Sequence, residues 1–443
     1  MSLSLAPDIR PGRLDAADYA RHFADATPRL TAAQAVLEAE RCLYCFDAPC
    51  SNACPTRIDV PSFIRRIADG NLRGSASAIL QANPLGGMCA RVCPTENLCE
   101  AVCVRHTQED RPVAIGRLQR FAVDALMDSA RPQLFFRARA SGKKVAVVGA
   151  GPAGLACAHT LAKLGHEVVI FDAKPKAGGL NEYGLASYKT PNNFAQREVQ
   201  WLLAIGGIEM RHSWKLDSVA QLNALRRDFD ALFLGMGLPN THQLGIPGEA
   251  LFGVQDAVDF IALLRQAEDL SMLPIGRQMV VIGGGMTAVD AAVQSKLLGA
   301  QEVHMVYRRG PEAMSASKAE QEWAQTNGVM IHHWLAPLEV MPNSFDPQYA
   351  GGVRFARQKM VNGKLQATGE TLVLEADMVL KAIGQTLGNP LLAQADFELQ
   401  SGRIATDAHG LTSQPGVWAG GDCRAGGLDL TVEAVAHGNA SAQ

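Results

Sequence analysis

The feature that most constrains this chain is a set of closely spaced cysteines near its N-terminus. Eight of its ten cysteines fall in two runs, Cys42-x-x-Cys45-x-x-x-x-Cys50-x-x-x-Cys54-Pro55 and Cys89-x-x-x-Cys93-Pro94-x-x-x-x-Cys99-x-x-x-Cys103. Close loop spacing lets thiolates wrap a cubane cluster, and a following proline ends the local helix. Because soft thiolates suit iron–sulfur chemistry, the two runs predict iron–sulfur clusters.

The order of the cysteines also indicates how two clusters would share them. In two-cluster ferredoxins, the last cysteine of one run binds the other cluster. Applied here, that rule assigns one set of four thiols to a first [4Fe-4S] cluster and three thiols to a second: Cys42, Cys45, Cys50 and Cys103, then Cys54, Cys93 and Cys99. Cys89 and one ligand position are left over. A pair of four-thiolate zinc sites is the alternative, although zinc knuckles use shorter spacings.

Composition narrows the class of protein. The chain of 443 residues has a formal charge of −3, which gives no signal for binding polyanions, so we expect no nucleic-acid partner. No apolar run approaches the roughly 18 residues of a membrane span, and the N-terminal stretch lacks the apolar core of a secretory leader. We therefore expect a cytoplasmic protein without a membrane contact, whose clustered thiols are metal ligands rather than disulfides.

Hydrophobic periodicity divides the chain into regions. Before Lys143 the pattern is helical, and Thr31 with Gln34 forms a capping-box signal for a helix that ends at Cys42. From Lys143 onwards, short buried strands alternate with helices, which is typical of dinucleotide-binding folds. A second glycine-rich turn lies well inside the unit that the first one begins. The late strands ADMVLKAIG and GVWAGG are expected to return to the first unit.

The predicted fold class is therefore α/β, with two nested Rossmann-like dinucleotide-binding domains preceded by an α-helical iron–sulfur domain. The predicted bounds are 1–140 for the helical domain, 141–256 with 375–443 for the first dinucleotide-binding domain, and 257–374 for the domain inserted in it.

The first glycine-rich turn, KVAVVGAGPAGL, has the spacing of a dinucleotide fingerprint. Gly149 permits the tight turn, Gly151 lets the backbone approach a pyrophosphate, and Gly154 allows close helix–strand packing. The helix that follows offers its N–H groups and dipole to the anion. Asp172 ends the next strand, where an acid binds a ribose hydroxyl.

Three later features favour FAD at this turn. Gly179 and Leu180 follow in a Gly-Gly-Leu segment, and Gly421 with Asp422 comes after a late strand, where the acid could hold the ribityl chain. Thr431 opens a helix whose N-terminus could face the flavin and stabilise charge on the reduced ring. Capping of a helix is the alternative role for Asp422. The first domain is thus the predicted FAD-binding domain.

The second turn, MVVIGGGMTAVDAA, gives Gly283, Gly285 and Ala288 in the G-x-G-x-x-A variant. The next strand ends in Arg308 and Arg309 rather than in an acid. Arginine there can accommodate a 2′-phosphate, so the residues favour NADP; the alternative is a solvated face. The inserted domain is predicted to bind NAD(P)H.

Taken in order, these motifs resemble a known family. Two Cys-Pro runs followed by GAGPAGL, GGL, GGGMTAVD, YRR, AIGQ and GGD are similar to the glutamate synthase small subunit and to the N-terminal half of dihydropyrimidine dehydrogenase. The resemblance covers nearly all of residues 31–443. CARVCPTENLCEAVC and GGLNEYGLASYK resemble the bacterial form in which the electron-input subunit is a separate, NAD-dependent chain.

The resemblance implies a ligand for the vacant position. The dehydrogenase family uses a glutamine on a helix after the last cysteine, and PVAIGRLQRF places Gln119 at the matching spot. On residue type alone, Gln119 would be a helix-packing amide, and Cys89 is the competing ligand. The arginine pair points to NADP while the two-chain relatives use NAD, so the expected nucleotide stays NAD(P)H.

The function that the resemblance implies is that of an electron-input subunit. FAD and two [4Fe-4S] clusters would pass electrons from NAD(P)H to a partner chain with FMN and further clusters, which reduces uracil or thymine in a hetero-oligomer, expected to be a heterotetramer. The alternatives are a glutamate synthase small subunit, and a zinc-bound structural protein on a degenerate flavoprotein scaffold.

Overall fold

A computed structural model describes residues 8–443 of the chain. These residues form two compact units. The larger unit comprises Thr27–Glu182, Asn192–Asn240 and Thr386–Gln443, and the smaller one comprises the described residues up to Ala26, Tyr183–Pro191 and Thr241–Gln385. Within the described residues, no helix combines the length and the apolar character needed to cross a bilayer.

The region before the first strand is helical, as predicted. Its helices are α1 (Ala16–His22), α2 (Ala32–Glu40), α3 (Pro49–Ala53), α4 (Val60–Ala68), α5 (Leu72–Ala82), α6 (Gly86–Val92), α7 (Val104–Glu109) and α8 (Ile115–Met127). The predicted capping box is present: the Thr31 side chain accepts from the Gln34 N–H, and the Gln34 side chain accepts from the Thr31 N–H. Phe63, Ile64 and Leu118 are fully buried in this helical region.

The first dinucleotide-type layer follows in the larger unit. Its strands and helices are β1 (Lys144–Val148), α9 (Pro152–Lys163), β2 (Glu167–Phe171), α10 (Leu180–Tyr183), α11 (Phe194–Leu203), β3 (Ile208–Arg211), α12 (Val219–Asp228) and β4 (Ala231–Leu234). β1 pairs in parallel with β2 on one side and with β4 on the other. All but the first residue of β1 and of β2 are buried, as expected for a parallel sheet covered on both faces.

The smaller unit carries a second parallel sheet. Its elements from 241 onwards begin with β5 (Asn240–Thr241), which spans the unit boundary, and continue with β6 (Val254–Asp256), α13 (Ala257–Gln266), β7 (Gln278–Ile282), α14 (Met286–Leu297), β8 (Glu302–Tyr307), α15 (Lys318–Thr326), β9 (Met330–His333), β10 (Leu335–Pro342), β11 (Ala350–Val361), β12 (Lys364–Glu375), β13 (Met378–Lys381) and β14 (Gln385–Thr386). The parallel sheet has the order β6-β13-β7-β8-β9, and β10, β11 and β12 form a separate antiparallel sheet.

The chain ends in the larger unit. The last elements are α16 (Pro390–Gln394), β15 (Leu399–Gln400), β16 (Arg403–Ile404), β17 (Val417–Ala419) and α17 (Thr431–Ser441). β17 completes the first sheet, whose order is β17-β4-β1-β2-β3. Short 3-10 turns lie at Thr95–Asn97, Ser187–Lys189, Leu270–Met272, Pro311–Ala313 and Gly421–Cys423.

Three details differ from the predicted boundaries. The strand at Met378–Lys381 was expected to return to the first sheet, but it pairs with β7 and with β6, so the second unit extends to Gln385 rather than to 374. Strand β6 likewise places the start of that unit before 257. At the other end, the residues just before Ala26 belong with the smaller unit, since Tyr19 is buried in its core and Arg10 bridges to Ile275. The hydrophobic pattern of a strand does not indicate which sheet the strand joins.

Candidate functional site

The first set of predicted cluster ligands surrounds one cavity. Four cysteine side chains line it: Cys42, Cys45, Cys50 and Cys103. The same cavity is also lined by an apolar wall that includes Val60, Ile64 and Ile115. Among the described residues, no three His, Cys, Asp or Glu side chains are grouped to hold a single metal ion. The donor set of four soft sulfurs around a cavity fits an iron–sulfur cluster.

Local backbone explains how three of these thiols converge. α2 ends just before Cys42, and the loop then uses left-handed conformations at Tyr44 and Ala48, with φ of 50° and 39°. Pro49 starts α3, whose first turn carries Cys50. Burial raises the pKa of Cys42 and raises that of Cys50 to about 11. A metal ion must therefore displace protons from these thiols when it binds.

Two arginines tie the fourth thiol to the others. Arg105, two residues after Cys103, donates from Nε to the carbonyl of Arg41 at 2.8 Å. Arg41, next to Cys42, donates to the carbonyl of Pro112 at 3.1 Å and pairs with Glu38. These bonds bring the segment around Cys103 against the end of α2, although the two are far apart in sequence.

The three cysteines assigned to the second cluster also lie near one another. Cys54 and Cys99 both act electrostatically on Cys93, which lies at the C-terminal end of α6. The Cys54 sulfur also shares a hydrogen bond of 3.3 Å with the Thr56 hydroxyl. Burial is the main reason why the pKa of Cys99 is raised. The structure thus brings these three thiols near one another, and Cys50 of the first set also acts electrostatically on Cys99.

Of the two candidates for the eighth ligand, Cys89 lies on α6 and Gln119 bonds to α6 from α8. Gln119, on α8, is buried and donates from Nε2 to the carbonyl of Gly86 at 2.7 Å. Cys89 is 2% exposed, accepts from the Asn83 side-chain amide at 3.1 Å, and raises the pKa of the neighbouring Cys93 thiol. The Gln119 side-chain amide is thus bonded to a backbone carbonyl. Gln119 as a cluster ligand remains a prediction.

Close contacts require glycine at two positions of the first turn, whereas a third glycine has room for a side chain. A Cβ on Gly154 would lie 1.9 Å from the Gly149 carbonyl oxygen, and Gly149 has a φ of +103°. A Cβ on Gly151 would meet nothing in the protein closer than 3.8 Å, where it reaches Gly179. Gly151 caps α9, whose N-terminal N–H groups can hold an anion.

The acid after β2 is placed at this turn. Asp172 is buried, and its Oδ2 accepts from the N–H of Ala150 at 2.6 Å while its Oδ1 accepts from the N–H of Lys174 at 2.7 Å. Burial raises its pKa, and the two N–H donors oppose that effect. The Asp172 carboxylate therefore bonds to the backbone of the turn. Its binding of a ribose hydroxyl stays a prediction.

The late segment joins the same turn. Gly421 has a φ of +73°, and a Cβ there would come within 3.0 Å of the Ala153 side chain on α9. Burial raises the pKa of Asp422 to about 6, with Asp429 opposing ionisation further. Thr431 donates from its hydroxyl to the side chain of Asn181 at 2.9 Å. Asn181 follows Leu180, whose side chain is exposed at the start of α10.

Sequence reasoning missed His437 in this segment. Its Nδ1 accepts from the N–H of Gly421 at 3.2 Å, and burial lowers its pKa to about 4, so it is a neutral acceptor. The signal was its position: His437 lies six residues after Thr431 on α17, which packs against α9.

A buried acid in the larger unit was also missed. Glu198 is 0% exposed and accepts from the N–H groups of Gly87 and Met88, at 2.7 and 3.2 Å, at the start of α6. Burial raises its pKa to about 8, and Arg91 opposes that rise. In sequence, Glu198 lies four residues after Phe194, on the apolar face of α11. An acid at such a position is expected to be buried and therefore to have a hydrogen-bonding partner.

The second turn repeats the backbone geometry in the smaller unit. A Cβ on Gly283 would lie 2.3 Å from the carbonyl oxygen of Ala382, and Gly285 caps α14. Ala288 is fully buried on that helix. The ring of Tyr307, at the end of β8, leaves no room for a Cβ on Gly284.

The arginine pair follows directly after Tyr307. Both Arg308 and Arg309 are exposed, and the Arg309 carbonyl accepts from the N–H of Trp334 at 3.1 Å. Within residues 8–443, neither guanidinium has an acidic partner. The structure places them at the end of the strand after the glycine turn, as predicted.

The class of protein is defined by a cysteine-rich helical region that is followed in sequence by two parallel sheets with glycine turns. The sequence pattern of the pyridine nucleotide-disulphide oxidoreductases matches residues 143–438, and that of dihydropyrimidine dehydrogenase domain II, with a 4Fe-4S cluster, matches residues 19–131. The chain belongs to the pyridine nucleotide-disulphide oxidoreductase family. It is an NAD(P)H-dependent, FAD-containing oxidoreductase with a [4Fe-4S] region. The predicted fold class is confirmed.

Individual relatives narrow the comparison. The chain is 34% identical to the NAD-dependent dihydropyrimidine dehydrogenase subunit PreT of Salmonella typhimurium, over 94% of this chain and 95% of the relative. It is also 34% identical to the glutamate synthase [NADPH] small chain of Escherichia coli, over 92% and 90%. The predicted resemblance to the dihydropyrimidine dehydrogenase subunit is confirmed.

Solved structures support the fold alone. Mycobacterium tuberculosis FprA, in complex with NADPH, superposes with a TM-score of 0.54 at 20% identity, covering 68% of this chain and 83% of FprA. Thioredoxin reductase from T. acidophilum gives a TM-score of 0.51 at 19% identity, covering 68% and 97%.

Proposed function

We propose that this chain is the electron-input subunit of a dihydropyrimidine dehydrogenase. It would oxidise NAD(P)H and deliver the electrons to a partner subunit with FMN and iron–sulfur centres, which reduces uracil or thymine to the 5,6-dihydropyrimidine. The observation that carries the proposal is the similarity to PreT along almost the whole of both chains. The four-cysteine cavity supports it, because it provides the soft donor set that an electron-transfer cluster needs.

In this proposal the protein supplies placement and the cofactors supply the chemistry. When bound, FAD would accept a hydride from NAD(P)H, and two [4Fe-4S] clusters would carry its electrons singly. Gly151 and the N-terminus of α9 would hold the FAD pyrophosphate, and Asp422 would accept from the ribityl chain. Gly285 would admit the nucleotide pyrophosphate at α14.

The proposed metal content is two clusters. Cys42, Cys45, Cys50 and Cys103 would hold the first, and the second would be held by Cys54, Cys93, Cys99 and Gln119. Iron and sulfide analysis of the purified chain tests this count: about eight iron atoms per flavin support it, and zinc in a colourless protein contradicts it. A protein with four iron atoms would retain only one of the two sites.

The proposed nucleotide is left as NAD(P)H because two observations disagree. Arg308 and Arg309 are exposed where a 2′-phosphate would bind, which favours NADPH. The PreT relative is named as NAD-dependent. Steady-state rates with NADH and NADPH decide between them directly.

The second candidate is a glutamate synthase small subunit, since the small chain from Escherichia coli has the same 34% sequence identity to this chain as the PreT relative. The decisive experiment adds either partner to the purified chain. Reduction of uracil by NAD(P)H that requires both this chain and a dihydropyrimidine dehydrogenase catalytic subunit supports the proposal. Support of glutamate synthesis with the large chain instead, or reduction of uracil by this chain alone, would overturn it.

A further inference from the structure

The loop that follows β8 in the smaller unit is closed by hydrogen bonds at its two ends. The Tyr307 hydroxyl, at the end of β8, donates to the carbonyl of Ala313 at 2.7 Å. The N–H of Ala313 donates in turn to the carbonyl of Gly310 at 3.1 Å. The residues between Tyr307 and Ala313 therefore form one short loop, which begins with the exposed side chains of Arg308 and Arg309.

The chain that leaves this loop runs along the second glycine turn. The N–H of Ala316 donates to the carbonyl of Gly284 at 3.1 Å, and a Cβ on Gly285 would lie 3.1 Å from the hydroxyl oxygen of Ser315. Met314 and Ala316 are buried in the core of the smaller unit, which holds the segment in place. Because a nucleotide pyrophosphate is expected at this turn, the loop after β8 is where the adenosine ribose is expected to bind.

One acid belongs to the same short loop. A Cβ built on Gly310 would lie 2.3 and 2.4 Å from the two carboxylate oxygens of Glu312, so the carboxylate lies against the backbone directly after Arg309. Burial lowers the pKa of His333, which pairs with Tyr307 in the sheet, and Glu312 opposes that lowering. The loop thus holds a negative charge beside its two positive ones.

We propose that Glu312 is a specificity-determining residue that lowers the affinity for NADPH, because its carboxylate repels the 2′-phosphate that Arg308 and Arg309 would otherwise bind. The inference rests on the proposed function only in that the chain binds NAD(P)H. A phosphate group carries about two negative charges near pH 7, whereas the 2′-hydroxyl of NADH is neutral. The acid therefore acts against one nucleotide and not against the other.

The exposure of these side chains sets the size of the effect. Both guanidinium groups are exposed, so water and salt screen their attraction for a phosphate. Glu312 is exposed as well, and we therefore expect it to offset the arginines rather than to exclude NADPH. This offset accounts for an arginine pair in a chain that is similar to a relative named as NAD-dependent.

The test is the equilibrium binding of NADP⁺ and of NAD⁺ to the flavin-loaded chain, measured by calorimetry. The wild type should bind NADP⁺ no more tightly than NAD⁺. Glu312→Gln keeps the size of the side chain and should tighten NADP⁺ binding by about 10-fold, while NAD⁺ binding stays nearly unchanged. Glu312→Asp keeps the charge and should stay close to the wild type. Glu302→Gln is the matched control, since Glu302 is an exposed acid at the opposite end of β8, and it should shift neither affinity.

Fragments of the nucleotide assign the effect to the 2′-phosphate. Adenosine 2′,5′-bisphosphate carries this phosphate and 5′-AMP does not, and neither contains the nicotinamide. The gain in Glu312→Gln should appear with the bisphosphate and be absent with 5′-AMP. It should also shrink at high salt, because the repulsion that the variant removes is electrostatic.

Two results would overturn the proposal. An unchanged affinity for NADP⁺ in Glu312→Gln, or equal changes with both nucleotides, would mean that the acid only shapes the loop. A wild type that binds NADP⁺ about 10-fold more tightly than NAD⁺ would show that the acid does not offset the arginines, and this measurement needs no variant to fold. None of these measurements uses uracil or a partner. A change in nucleotide preference without partner-dependent uracil reduction would therefore contradict the proposed function alone.

Discussion

The first glycine-rich turn and the first cysteine site are built from different parts of the chain. The turn is made of backbone within one short segment, where Gly149 and Gly154 approach so closely that no side chain fits. The cysteine site is made of side chains, and Cys103 reaches it from a distant segment that Arg105 bonds to the end of α2. A site formed by the backbone of one segment can therefore be recognised in the local sequence. A site formed by side chains from distant segments depends on tertiary structure.

The largest effect is expected from a side chain at the turn. Gly154→Ala would place a Cβ 1.9 Å from the Gly149 carbonyl oxygen, so α9 must move away from β1. We expect a chain that retains no FAD and whose larger unit melts at lower temperature, by several degrees or more. Flavin absorbance after gel filtration and a thermal melt would measure both.

The matched variant is Gly151→Ala, where a Cβ would have 3.8 Å of clearance. It should fold like the wild type yet bind FAD more weakly, since only a pyrophosphate would occupy that space. Gly285→Ala, at the equivalent position of the second turn, should leave FAD bound. Equal FAD affinity in Gly151→Ala and wild type would show that the turn is only structural.

The next effect concerns the side-chain site alone. Gln119→Ala should lose the iron of the second cluster, about half of the total, or gain a solvent ligand there, while FAD stays bound. The reason is that two cubanes need eight protein ligands and seven are thiols of the assigned set. Iron analysis and EPR measure the outcome. Full iron content with unchanged spectra would leave Gln119 as a packing residue bonded to Gly86.

A smaller effect is expected where a side chain extends a backbone site. Arg308→Glu should lower kcat/KM for NADPH by about 10- to 100-fold, the value of a lost charge-assisted hydrogen bond, and affect NADH much less. Arg309→Glu is the companion variant, because both guanidinium groups are exposed at the same strand end. Equal losses with the two nucleotides would exclude Arg308 as a reader of the 2′-phosphate.

The same contrast explains what the sequence could and could not predict. The helices around Thr31 and Ile115, both glycine turns and the four-thiol grouping follow from local patterns or from a ferredoxin rule. The sheet joined by Met378–Lys381 did not, because a buried strand fits either parallel sheet equally well. Glu198 and Asn83 were also missed. Glu198 bonds to a helix that is distant in sequence, and Asn83 bonds to a helix on the other side of a short turn. Glutamate and asparagine are usually found at the surface, so their residue types did not indicate that these two are buried.

The last prediction separates the effects of Asp422 on stability and on FAD binding. Burial raises the pKa of this carboxyl from an ordinary 3.8 to about 6 in the folded chain. Because the folded value lies above the unfolded one, the ionised form costs stability above pH 6, and this cost vanishes as the pH falls below about 4. Asp422→Asn removes the charge and should stabilise the flavin-free chain at pH 7.5, by on the order of 1 kcal/mol for each pKa unit.

Urea unfolding of the flavin-free wild type and variant at several pH values measures this difference. The gap in free energy of unfolding should be widest above pH 7 and narrow steadily toward pH 5. The variant should at the same time bind FAD more weakly, because a neutral amide is a poorer acceptor for the ribityl hydroxyls than a carboxylate. If the difference in free energy of unfolding between wild type and variant does not change with pH, burial does not raise the pKa of Asp422. A variant that gains stability without losing FAD affinity would mean that the Asp422 carboxyl does not contact the cofactor.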